Sequence, residues 1–168
     1  MAQPVSYATQ DSLAERDFNI NRVITDYDID VDVYFDLASE YILRVLEFDW
    51  WRQYADYQGF SYSQVDANGN TVTAFNPDRL ILNNPDLINI HCFYTLYLIY
   101  RGLSTQLSSP FETAMRNSKY WLDEFNTYTN RLESVSDFYD RDGDGETEIR
   151  EQKYSADGSQ RYGRRYVR

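Results

Sequence analysis

Histidine, cysteine, proline and glycine are all scarce: 168 residues hold one histidine, one cysteine, four prolines and seven glycines. The single cysteine, Cys92, cannot close an intrachain disulfide, and its apolar neighbours mark it as a buried, reduced thiol. The single histidine, His91, sits in the middle of an apolar run, where a hydrogen-bonded core residue is the plainer reading than a base or a ligand. Adjacent residues on a helix point apart, so His91 and Cys92 do not form a nucleophile pair. There is no GxGxxG, Walker loop, GxSxG or zinc-type spacing. No apolar run reaches membrane length. The longest, Leu87 to Tyr100, has 14 residues and contains Asn89, His91 and Thr95, whereas a span needs about 20. The opening Met1-Ala2-Gln3-Pro4 lacks the basic and apolar regions of a signal peptide.

Aromatic residues, by contrast, are abundant at 17%, with 16 tyrosines. Tyrosine presents a flat apolar body and a polar tip, which suits surfaces buried against a partner as well as the edges of a core. The length suits one domain with a sizeable core. Net charge is −11, unevenly spread: residues 152–168 carry +4, so the preceding 151 residues carry −15. An acidic body repels DNA phosphate, while the basic end suits an acidic surface on another chain.

The order of segments predicts a mainly α protein: three long helices, a projecting β-hairpin and an extended C-terminal arm. Residues 1–135 form the helical bundle and 136–168 the acidic loop and basic arm. The first 30 or so residues are polar and read as extended, with Ser12-Leu13-Ala14-Glu15 as a capping box for one short turn. The strict alternation from Asp26 to Val33 fits an edge strand with one acidic face, which could collect cations. No turn converges those carboxylates, so a solvated lead-in to a helix is the plainer alternative. A first long helix is expected from Val33 to about Tyr54, because Phe35, Ala38, Ile42, Val45, Leu46 and Trp50 recur every three or four residues. Phe60–Val65 and Thr71–Phe75 bracket an Asn-Gly loop and predict the hairpin. Asn84-Pro85 opens a second long helix that Gly102 is expected to stop. That helix is apolar nearly all round and so should be central. Ser109-Pro110-Phe111-Glu112 caps a third helix running towards Val135, and the short link makes the last two antiparallel neighbours.

One motif carries sharp chemistry. Asp140, Asp142, Asp144, Gly145 and Glu151 match D-x-D-x-D-G-x5-E without a gap. Three carboxylates, the Glu146 carbonyl, a water held by Glu148 and a bidentate Glu151 would give oxygens suited to Ca²⁺ rather than Mg²⁺. The alternative is an acidic turn after a helix. The eighth position, Thr147, is polar, there is no second loop, and the chain beyond reads as strand–turn–strand. An isolated structural calcium loop is therefore the expectation, with Ca²⁺ as the only cofactor.

A polar N-terminal arm leads to a helix reading Ala38-Ser39-Glu40-Tyr41-Ile42-Leu43. A hairpin, the helix Leu87–Tyr100, a long helix from Ser109 and an extended tail follow. Over residues 33–135 this order resembles the head–tail connector, or adaptor, proteins of tailed bacteriophages. The resemblance implies a homo-oligomeric, dodecameric ring under the portal, in the neck of a virion assembled in the host cytoplasm. It also implies contacts to portal and tail proteins, DNA passing through unbound, no membrane and no enzymatic activity. The C-terminal segment would reach for the partner through Arg161, Tyr162, Arg164, Arg165, Tyr166, Val167 and Arg168. A calcium-dependent interaction module unrelated to phages is the runner-up. A two-carboxylate hydrolase is third, since nothing marks one carboxylate pair over another.

Overall fold

The computed structural model describes residues 7–51, 75–106, 111–132 and 138–140. Among them the protein is mainly α, in the order α1 (Gln10–Ala14), α2 (Ile20–Asp26), α3 (Val31–Val45), α4 (Pro85–Gln106) and α5 (Phe111–Leu132). The described residues contain no strand, only an isolated antiparallel bridge between Leu80 and Tyr139. The expected hairpin lies outside them apart from Phe75, as do the cap at 107–110 and everything after Asp140.

Residues 7–26, expected to be extended, are helical for the most part. They fold into two short helices laid against α4. Thr9, not Ser12, is the N-cap of α1: its hydroxyl accepts from the Ser12 N–H while the Ser12 hydroxyl accepts from the Thr9 N–H at 2.8 Å. Leu13 and Ile20, both fully buried, supply the apolar area that holds these helices down. Alternation in the aspartate ladder does not make a strand either. α2 ends at Asp26, the Ile29 N–H reaches back to the Ile24 carbonyl at 3.0 Å, and Asp28 adopts a left-handed φ of 50°. That is a Schellman-type stop with aspartate where glycine is usual. It frees α3 to begin at Val31, two residues earlier than the periodicity suggested.

The predicted stripe on α3 is the buried one: Phe35, Ala38, Ile42, Leu46 and Trp50 all face the core. Val45 is only half-buried. A π turn follows from Leu46 to Trp50. Its wider turn lets the adjacent Trp50 and Trp51 both face inward, at 2% and 7% exposure.

Asn84 caps α4 as expected, its side-chain oxygen accepting from the Asp86 N–H at 2.8 Å. Between Asp86 and Tyr100 every residue of α4 is buried or half-buried, so it is the central helix. Gly102 does not end it. The helix continues to Gln106, and the missing Cβ leaves room for Tyr34 of α3, whose hydroxyl would lie 3.1 Å from it. α5 runs antiparallel to α4: Phe93 meets Trp121 and Tyr128, with ring centroids 5.7 and 5.0 Å away, whereas Tyr100 and Leu103, further along α4, lie with Ala114 and Asn117 near the start of α5.

The chain returns to this core just before the acidic loop. The Ile81 N–H donates to the Phe138 carbonyl at 2.8 Å and the Asp140 N–H to the Arg79 carbonyl at 2.9 Å. Phe138 and Tyr139 are fully buried. They pack on Trp50, with centroids 4.7 and 5.5 Å away, and Tyr139 also contacts Trp51 and Phe75. Burying a ring of this kind contributes about 2 kcal/mol, enough to anchor the strand-like segment on which the acidic loop begins.

Candidate assembly surface

The polar chemistry inside the bundle is structural. The His91 Nδ1 accepts the backbone N–H of Tyr7 at 3.1 Å and of Ala8 at 3.0 Å. Two donors on Nδ1 place the ring proton on Nε2, which lies 3.0 Å from the Phe35 carbonyl and 3.2 Å from the Ser39 hydroxyl. One neutral imidazole thus joins the N-terminal arm, α3 and α4. Burial holds its pKa down at about 4, against the raising effects of the Phe35 carbonyl and Asp36. The Cys92 thiol donates to the Ser12 hydroxyl at 3.4 Å, and burial pushes its pKa up, so it is not activated. Arg16 clamps the Asn89 side chain, and the Tyr100 hydroxyl donates to the Asp17 carboxylate at 2.6 Å. These bonds explain how a polar segment docks so tightly on an apolar helix.

Of the expected calcium ligands, Asp140 is the one within the described residues, and it is buried beside the Leu80–Tyr139 bridge. Asp142, Asp144, Glu146, Glu148 and Glu151 lie outside them, as do Arg161, Tyr162, Arg164, Arg165, Tyr166, Val167 and Arg168. Among the described residues no cluster of three or more potential metal ligands forms, and no helix is long and apolar enough to cross a membrane.

The outer face of α3 is the feature that sequence reasoning missed. Val33, Leu37 and Tyr41, spaced by four residues, share one side of the helix and are 50%, 49% and 42% exposed. Phe48 further along is 63% exposed. Leu37 and Tyr41 also line a shallow groove against α4, completed by Glu40, Arg44, Tyr94 and Leu98. Tyr41 stacks flat on Tyr94, with centroids 4.3 Å apart. No protein family, curated protein or solved structure matches the chain. Around the stripe the charge is nearly all negative: Asp30, Asp32, Asp36, Glu40, Glu47 and Asp49 are exposed, against one base, Arg44. The signal was present in the four-residue spacing of Val33, Leu37 and Tyr41, hidden beside the stronger stripe that fills the core.

Among the described tyrosines, Tyr7, Tyr100 and Tyr139 are buried, while Tyr27, Tyr41 and Tyr120 are exposed.

Proposed function

We propose that the protein is a structural subunit of the neck of a tailed bacteriophage, an adaptor that joins its own copies in a ring under the portal and links capsid to tail. It performs no chemistry. The observation that carries this reading is that α3 is apolar on two sides. Phe35, Ala38 and Ile42 are buried in the bundle, whereas Val33, Leu37 and Tyr41 face out. A row of large apolar side chains that stays about half exposed on an otherwise acidic helix, even with Tyr41 stacked on Tyr94, is costly in a free monomer and is the kind of surface that a partner covers. The acidic body and the helix order that resembles connector proteins support the same reading, since a channel lined by carboxylates would let DNA pass without holding it.

Imaging of the protein mixed with its portal tests the proposal. A closed ring seated on portal is expected. A version ending at Gln160 should stay folded and soluble yet fail to join the particle. A full-length chain that stays monomeric with portal present would overturn the reading. The second reading, a calcium-dependent interaction module unrelated to phages, is favoured by the anchoring of Asp140 at the start of the acidic loop. A monomer whose partner binding requires Ca²⁺ would select it.

A further inference from the structure

We infer that the outer face of α3, built on Val33, Leu37 and Tyr41, is the docking site for residues 161–168 of a second copy of this chain. The inference rests on the assembly reading above and names the contact that would hold neighbouring copies together.

The two surfaces are complementary in composition. Residues 161–168, Arg-Tyr-Gly-Arg-Arg-Tyr-Val-Arg, carry four arginines and no acid, together with Tyr162, Tyr166 and Val167. The α3 face offers an apolar row with a groove at Leu37 and Tyr41, and exposed carboxylates at Asp32, Asp36 and Glu40 beside it. Tyrosine rings are suited to cover Val33 and Leu37 because they bury a large flat area at small entropic cost. Arginine forks are suited to the carboxylates alongside, where they fix register more than they add affinity. Exposed ion pairs alone are weak in salt, so the apolar row is what makes this face a site.

The occupant is a second copy because each chain then has one acceptor face and one basic donor segment. Such head-to-tail pairing propagates from subunit to subunit and closes into a ring when the rotation permits. Folding back onto its own α3 would consume both surfaces and leave the copy nothing to offer a neighbour.

The test uses two full-length chains, one with Leu37→Cys and the other with Tyr166→Cys, mixed under mild oxidation at about 0.15 M salt. Native Cys92 is fully buried and stays out of the exchange. A disulfide between the two different chains is expected. It should be lost when the Leu37→Cys chain also carries Asp36→Arg and Glu40→Arg. It should return when that chain is mixed with a Tyr166→Cys chain carrying Arg164→Glu and Arg165→Glu. The α3 positions changed are exposed, and an unchanged far-UV spectrum verifies that the helix persists. Val33→Ser is a second variant expected to weaken the crosslink without changing any charge. The inference is overturned if no crosslink forms between chains, or if a chain carrying both cysteines links only within itself. Closed rings without the crosslink would overturn this contact and leave the adaptor reading standing. A crosslink in open chains or dimers would support the contact and count against the ring.

Discussion

The Nδ1 of His91 accepts the backbone N–H of Ala8 at 3.0 Å, across 83 positions of sequence. The same nitrogen takes the Tyr7 N–H, so the ring is committed to its neutral form, with nowhere to put a proton on that side. Two buried backbone donors are paired through it.

His91 should therefore make the fold acid-sensitive. Its pKa is lowered to about 4 by burial, below its ordinary unfolded value of about 6.5. A depressed folded pKa means that the unfolded chain binds the extra proton between those values. The stabilisation is complete above about 6.5 and is lost as pH falls towards 4, amounting to about 3 kcal/mol in full. Urea titrations of the parent and of His91→Gln should show the gap between them narrowing steadily from neutral pH down to about 4. A gap that stays constant with pH would mean that the imidazole does not titrate in this window.

Tyr100 and Asp17 form the second tie of the N-terminal segment. Burial, then the Asp17 contact, pushes the Tyr100 pKa well above its ordinary value, so the phenol is a donor at all physiological pH. Tyr100→Phe keeps the packing and removes the donor. The expected loss is about 1.5–3 kcal/mol, because the acceptor is a charged carboxylate. Hydrogen exchange should show the added mobility concentrated in residues 10–26, with the α4 and α5 amides much less affected.

Asp28 holds a left-handed backbone at φ 50°. Side chains other than glycine are strained there, although aspartate less than most. Asp28→Gly should raise stability by a few tenths to about 1 kcal/mol, read as an upward shift of the thermal midpoint. A fall in the midpoint would mean that the aspartate side chain contributes more locally than its backbone costs.

The acidic loop is open to a direct measurement. One Ca²⁺ per chain is expected to bind by calorimetry, with Asp142→Ala plus Asp144→Ala abolishing the signal while the helical spectrum is retained. No uptake by the parent at millimolar Ca²⁺ would leave the segment as a turn. Because Asp140 is bound to Arg79 through its backbone, a cation held by Asp140 would be fixed to the bundle.

The sequence by itself determined the helices that carry a strong period. The Phe35–Ala38–Ile42 stripe, the Asn84-Pro85 start and the apolar circumference of α4 are local patterns, and helix geometry converts them directly into buried faces. His91 was legible as a core residue for the same reason. The tertiary structure decided everything that depends on a distant partner. Residues 7–26 look too polar to pack, yet Leu13 and Ile20 are buried because His91, Asn89 and Tyr100 satisfy the polar groups beside them. The aspartate ladder has a strand's alternation, but α3 gains more by starting at Val31 and turning Val31 and Phe35 into the core. Gly102 resembles a helix stop and is instead a gap for Tyr34. The outward row on α3 lies beside the core stripe on the same helix, and only packing shows that the bundle leaves Val33, Leu37 and Tyr41 exposed.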